Sequence, residues 1–516
     1  MNLLRALATV SGLTLLSRIT GLVREVITAS LFGASAMTDA FFVAFRLPNL
    51  LRRLFAEGAF SQAFVPMLAQ ARERGDEAHF RGFVDRVATL LFWSLVAVSV
   101  AGVAGAPALV LLTGSGLARD ALAFDAAILM TRWMFPYILF ISLVALAAGI
   151  LNTWRRFAVP AVSPVLLNLS VIGTALLLHD RFPQPVYALA AGVVIGGIAQ
   201  LALQVPALLR IGMLPRIALN PLASLRDPDT RALLARMAPA LLAVSAAQIS
   251  LMINTHIASL LAAGSVSWIS YADRIMEFPT ALLGVALSTV LLPSLTRAGS
   301  RQHDDDYRAL LDWGLRLALV LALPCTVGMA LMAEPLAALL FHYGRFQAHD
   351  VRMTALAIQA YAIGLPGLIA VKVLAPGFFA RHDVRTPVRI ALGVLVTTQL
   401  LNLVFVPWLD HAGLALATSV AAALNALLLL LGLRRRGAWR ALPGWGRLLA
   451  QVGAGAVALA ALLAVTVPMV DWTALGAQPL RRAALVLGLV AAGAALYLLT
   501  LLACGLRPRH FLRRET

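Results

Sequence analysis

Apolar runs near the ~20-residue length that crosses a bilayer follow one another along almost the whole chain, separated by short polar stretches. We read about fourteen such spans, centred near Leu16, Leu50, Val98, Leu139, Ile172, Val194, Ser250, Leu283, Leu321, Leu365, Leu395, Ala421, Val457 and Leu489. The runs are long and continuous, without the short alternating segments of a barrel. In lipid each backbone N–H and C=O must be satisfied inside its own segment, so these runs predict helices. The expected fold class is an all-α polytopic membrane protein.

Composition supports this reading. Hydrophobic residues make up 60% of the 516 positions and charged residues 13%, with a mean hydropathy of +0.86. A soluble protein needs roughly twice that charged share. The net charge of +18 forms no patch of the kind that binds nucleic acid, because the arginines lie in short loops. Alternate loops differ in their arginines. One set includes Arg72 to Arg86, Arg155–Arg156, Arg210 to Arg236, Arg297 to Arg316, Arg381 to Arg389, Arg434 to Arg447 and the Arg507 to Arg514 tail, whereas Gly33–Ala36 and Ala262–Ser267 carry no charge. The arginine-rich side is expected in the cytoplasm, with both termini inside. Arg481–Arg482 runs against that bias. Cys325 and Cys504 lie in or beside apolar segments and suggest neither a disulfide framework nor a metal site. The first apolar stretch is not followed by a small-residue cleavage site, so no removable signal is read.

Two stretches recur. Phe64-Val65-Pro66-Met67-Leu68 resembles Leu291-Leu292-Pro293-Ser294-Leu295, and Arg156-Phe157-Ala158-Val159-Pro160 has its counterpart in Asp383-Val384-Arg385-Thr386-Pro387; both pairs are 227 positions apart. The repeat predicts two six-helix lobes around a central cavity, plus a C-terminal helix pair. The expected boundaries are 1–215, 216–440 and 441–516. An amphipathic linker is expected over 220–236, where Leu222, Leu225, Leu233 and Leu234 interleave with Arg226, Arg231 and Arg236. Repeats of this kind belong to alternating-access transporters, with the substrate site between lobes.

Charges inside the apolar segments carry the functional reading, since each costs at least ~2.5–3.5 kcal/mol at the bilayer centre. The first helix holds Arg18 and Arg24; the second Asp39, Arg46, Arg52, Arg53 and Glu57; the eighth Asp273, Arg274 and Glu277; the tenth Lys372, the chain's only lysine. Asp39, Arg46, Arg53 and Glu57 are spaced seven, seven and four apart and share a helix face. Asp273 and Glu277, one turn apart, share another. Pro48 is expected to kink the second helix. A water-filled cavity would accommodate the whole ladder. Arginine forks suit phosphate oxygens, and the carboxylates would pair with them in the empty site. Lys372 would sense occupancy or protons through its pKa. The alternative for each residue is simple ion pairing or snorkelling.

Other clusters carry less. Asp304-Asp305-Asp306 reads as a solvated loop, and His342, His349 and His411 lack metal-ligand spacing. No phosphate-cradling glycine loop is present.

The run Thr38 to Phe60, TDAFFVAFRLPNLLRRLFAEGAF, resembles the signature of the MurJ (MviN) family of lipid II flippases. Ser17-Arg18 through Arg24, Tyr271-Ala272-Asp273-Arg274-Ile275-Met276-Glu277-Phe278-Pro279 and Lys372-Val373-Leu374-Ala375-Pro376-Gly377-Phe378-Phe379 are similar to the same family. The resemblance implies a fold of the multidrug/oligosaccharidyl-lipid/polysaccharide exporter superfamily, a cationic cavity, and a terminal helix pair that grooves the polyprenyl tail. It implies substrate contacts at Arg18, Arg24, Arg52 and Arg274, supported by Asp39 and Glu57. Asn49 and Arg53 lie within its second-helix signature and join Asp273, Glu277 and Lys372 as candidates. The implied substrate is lipid II, flipped across the bacterial cytoplasmic membrane for cell-wall biogenesis without catalysis. Membrane lipids surround the chain, and the cell-wall synthesis machinery is the protein partner such a role suggests. No cofactor is expected beyond membrane potential or a coupling ion, and no cluster matches the second-lobe sodium site of some relatives. Three rivals are a drug or ion antiporter, a flippase for another polyprenyl-linked oligosaccharide, and a membrane enzyme acting on polyprenyl phosphates. The first would need an apolar aromatic cavity, and the last catalytic acids gathered near one membrane face.

Overall fold

The computed structural model describes residues 3–53, 59–73, 77–300 and 304–507. Among them every regular element is a helix. The chain divides into two compact units, Met1–Ser267 and Trp268–Thr516. The first holds α1 (Leu3–Phe32), α2 (Ala36–Arg52), α3 (Ala59–Glu73), α4 (Glu77–Ala104), α5 (Ala106–Gly114), α6 (Ala121–Met134), α7 (Tyr137–Thr153), α8 (Ala158–Leu178), α9 (Tyr187–Arg210), α10 (Pro221–Arg226) and α11 (Pro228–Ser259). Helix α12 (Ser265–Pro279) starts in the first unit and continues into the second. There follow α13 (Ala286–Ser300), α14 (Asp304–Leu331), α15 (Ala333–Phe341), α16 (Ala348–Phe379), α17 (Arg385–Arg435), α18 (Trp445–Thr466) and α19 (Pro479–Ala503).

Nine helical stretches among the described residues are long and apolar enough to cross a membrane. One is α17, whose 51 residues contain a break at Asp410 (φ 49°, ψ −131°). That break divides the two spans expected near Leu395 and Ala421. Helices α1 and α11, with 30 and 32 residues, also have the length to cross. The set is compatible with about fourteen spans. Helix α2 runs through Pro48 to Arg52.

The repeat reappears in the helix boundaries. Helices α5 and α15 start at 106 and 333, α6 and α16 at 121 and 348, and α8 and α17 at 158 and 385, so each pair lies 227 apart. Arg155 (φ 57°) and His382 (φ 59°), at the same offset, both take the left-handed conformation that ends a helix. The next residue closes each turn backwards: Arg156 N–H donates to the Leu151 carbonyl, and Asp383 N–H to that of Phe378.

Local chemistry sets the helix starts. Asp120 accepts from the Leu122 and Ala123 amides at the head of α6, and Gln347 and Asp350 form a reciprocal capping box on α16. The linker expected as one amphipathic helix over 220–236 forms two. Asp227 adopts an extended backbone (ψ 131°) before Pro228, which ends α10, and its side chain caps α11. Leu222 is exposed while Leu233 is buried. The Asp304–Asp306 run, expected in a loop, forms the first turn of α14, where carboxylates favour the helix N-terminus.

The first unit's core gathers Phe60, Phe64, Phe83, Ile138 and Ile150 from α3, α4 and α7. Close helix contact in the second unit depends on glycine: a Cβ on Gly367 would lie 2.7 Å from the Ala423 amide nitrogen on α17.

Candidate functional site

In the first unit, Arg24 on α1 is half-buried and bound on two sides. Its Nη2 lies 2.5 Å from Glu25 Oε1, and its Nη1 donates to Asn168 Oδ1 on α8 at 3.1 Å. Asn168 Nδ2 donates in turn to the Ser17 carbonyl and Thr20 Oγ1, both at 3.1 Å. A positive charge among apolar helices thus has an adjacent carboxylate and a neutral amide. Arg18, two turns earlier, is exposed.

Asp39 lies in the first turn of α2 and is 3% exposed. Its Oδ2 accepts from the Gly264 amide at 2.7 Å, and its Oδ1 from the Ser267 amide and hydroxyl at 2.8 and 2.6 Å. These donors belong to the turn before α12 and to its first residues. Gly264 takes a left-handed φ of 95°, which lets that turn close around the carboxylate. The sequence predicts an arginine as the partner of Asp39, and among the described residues none is one of its hydrogen-bond donors. Aimed N–H groups at a helix N-terminus stabilise the carboxylate instead.

At the other end of α2, Asn49 Oδ1 accepts from both Nε (3.1 Å) and Nη2 (3.0 Å) of Arg52, one turn on. This holds the guanidinium plane against its own helix. Arg53 is half-buried, and its amide closes the helix onto the Asn49 and Leu50 carbonyls. Glu57 lies outside the described residues.

In the second unit, Arg274 Nη1 pairs with Glu277 Oε2 at 2.7 Å, three residues along α12, while Asp273 is half-buried beside them. The ammonium-bearing Lys372 on α16 is exposed. Its aliphatic stem packs against Gly284, where an added Cβ would lie 3.0 Å from Lys372 Cγ. Arg482, the residue that ran against the charge bias, is fully buried at the start of α19. It donates to His342 Nδ1 and the His342 carbonyl, each at 3.2 Å, with its guanidinium over the Tyr343 ring.

Sequence reasoning missed Glu25, Asn168, Gly264 and Ser267. Asn168 left a faint signal as a lone amide in the apolar run Val165–Ile172. Gly264 and Ser267 left none, since their role depends on a partner more than 200 residues away.

A family model described as lipid II flippase MurJ matches residues 28–476. The lipid II flippase MurJ of Burkholderia cenocepacia is 53% identical over 514 residues, 100% of both chains. The probable lipid II flippase MurJ of Vibrio cholerae is 40% identical, covering 98% of this chain and 97% of that one. Among solved structures, a lipid II flippase MurJ in an inward closed conformation superposes with a TM-score of 0.79 at 23% identity, covering 95% of this chain and 97% of that one. An inward-facing multidrug resistance MATE family transporter of the MOP superfamily superposes with a TM-score of 0.69 at 14% identity, covering 81% and 94%. The last two establish the fold. The full-length identity and the match over 28–476 show that this chain belongs to the lipid II flippase MurJ family.

Proposed function

We propose that this chain flips lipid II from the inner to the outer leaflet of the bacterial cytoplasmic membrane by alternating access, as a transporter and not an enzyme. The observation that carries this reading is 53% identity along the entire chain to a lipid II flippase.

The residues suit that task. Lipid II offers a diphosphate, and arginine presents planar forks of donors whose charge does not titrate away. Arg18, Arg24, Arg52 and Arg274 are assigned to the diphosphate, with Arg53 and Lys372 adding positive charge. Asn49 orients Arg52. Glu277 balances Arg274 in the empty state and exchanges with phosphate, with Asp273 and Glu57 in the same supporting role. Asp39 holds the head of α12 in place for this chemistry. The head group enters from the cytoplasmic side while the polyprenyl tail stays in lipid, and α18–α19 provide its groove. Both termini lie in the cytoplasm. The return of the empty carrier draws on membrane potential or a coupling ion, and cell-wall synthesis enzymes receive the product.

The test is complementation of a strain depleted of its own flippase, comparing wild type with Arg18→Ala, Arg52→Ala and Arg274→Ala at matched membrane levels. Rescue by wild type alone supports the diphosphate assignment. Failure of correctly inserted wild type moves the substrate to another polyprenyl-linked lipid. Rescue by all three variants removes those arginines from the site.

A further inference from the structure

We infer that Asn168 is a positioning residue for substrate, the fixed pivot on which the Arg24 guanidinium turns from Glu25 to the diphosphate; this rests on the reading of Arg24 as a diphosphate ligand. Asn168 is only 6% exposed, on a helix whose other residues are apolar apart from Ser163, Ser170 and Thr174. A buried amide in lipid is costly unless its hydrogen bonds are made. Here both ends are used, and they can be used in only one orientation. Oδ1 accepts from Arg24 at 3.1 Å, while Nδ2 donates to the Ser17 carbonyl and Thr20 Oγ1. Flipping the amide would set its NH2 against a guanidinium that has only donors. The amide is therefore locked on α1, and it locks Arg24 in turn.

The two partners of Arg24 differ in what an arriving anion does to them. Glu25, at 2.5 Å, competes with phosphate for the same positive charge and is displaced by it. Asn168 carries no charge, so it neither repels the diphosphate nor yields its place. One guanidinium edge stays anchored while the other exchanges. Without the anchor, the long side chain must order itself on binding, and affinity falls.

The test measures lipid II binding to purified full-length protein in nanodiscs for wild type, Arg24→Ala, Asn168→Ala, the double variant and Asn168→Asp. Asn168→Ala is expected to weaken binding about tenfold. In the Arg24→Ala background the same change is expected to add nothing, because the amide acts through that arginine. Asn168→Asp, close in shape, is expected to bind more weakly than Asn168→Ala, since its carboxylate competes for Arg24. Equal weakening in both backgrounds would mean a purely structural role and overturns the inference. So does wild-type affinity in Asn168→Ala or Asn168→Asp while Arg24→Ala binds poorly. Wild-type affinity in Arg24→Ala removes the reading of Arg24 itself, and the pivot with it.

Discussion

The Asp39 carboxylate accepts two backbone N–H groups and a hydroxyl, so removing it leaves buried donors without an acceptor. Asp39→Ala is expected to lower stability by about 1–3 kcal/mol, read as a fall in melting temperature of the purified protein. Asp39→Asn keeps one carbonyl oxygen of the same shape and should lose less. If alanine melts with wild type, the carboxylate is not holding α12. This residue also marks a limit of sequence reading. A lone Asp beside an apolar run signals that a charge needs a partner, and the sequence reading looked for that partner among arginines. The donors are the amides of residues 264 and 267 and the Ser267 hydroxyl, and no local spacing ties them to Asp39. Asn168 and Arg482 were obscure for the same reason, because the partners of both lie on another helix or turn. Arg274 with Glu277, and Asn49 with Arg52, were nearer to legible because helical spacing alone puts them in reach.

Between elements, contacts of the polar ends determine how each helix is held. The buried Arg482 at the head of α19 has a neutral imidazole as its acceptor, in the turn between α15 and α16. Burial and the Arg482 charge push the His342 imidazole below its ordinary value, against the pull of Asp471. A histidine held neutral in the fold contributes fully above its ordinary pKa of 6.5, and that contribution is lost as the pH falls below it. Melting temperature should therefore drop between about pH 7.5 and 5.5. His342→Gln, neutral throughout and still able to accept from Arg482, should flatten that part of the curve; an unchanged slope would assign it elsewhere. At the α16–α17 turn the sign is reversed. Burial works against the Asp383 carboxylate, but bonds from Thr386 and Arg436 hold it down at about 2. Its contribution is present above the ordinary 3.8 and is lost only as the pH falls through about 2.

The same scale shows why the repeat is more than a coincidence of prolines. Asp85 on α4 accepts from the Arg216 amide, and Asp312, 227 residues on, accepts from the Leu442 amide and from Trp445 Nε1 at 2.7 Å. An acidic residue on α4 clasps the chain segment that follows α9, and one on α14 clasps the segment that follows α17. Asp312→Ala is expected to cost about 1–3 kcal/mol and to shift Trp445 fluorescence toward the red, as its indole loses a buried acceptor. An unmoved emission would show that the linker is held by Arg316 alone, which reaches the Leu442 and Pro443 carbonyls. These clasps were not legible in advance, because Asp85 and Asp312 sit in arginine-rich flanks that read as solvated loops. The offset itself was legible, since it was carried by the local chemistry of helix ends.

For the molecule as a whole, the prediction concerns what drives the cycle. On the proposed assignment of Arg18, Arg24, Arg52 and Arg274 to the diphosphate, the carrier moves differently when loaded and when empty. Bound diphosphate neutralises much of that charge, so the outward step carries little net charge through the field. The inward return of the empty carrier moves the uncovered arginines toward the cytoplasm, where an inside-negative potential favours them. A full charge crossing 100 mV gains about 2.3 kcal/mol. If half a charge crosses, the gain is about 1 kcal/mol, worth several-fold in rate. Purified protein in vesicles of known sidedness, with a potassium diffusion potential set by valinomycin, reads this directly. Lipid II exposure should speed up several-fold when the cytoplasmic face is negative and slow when the polarity is reversed. A single turnover of preloaded carrier should respond far less, because it omits the return. Equal rates at both polarities would mean that the return moves no net charge. The carboxylates would then travel with the arginines as a neutral set, and a coupling ion would have to supply the drive.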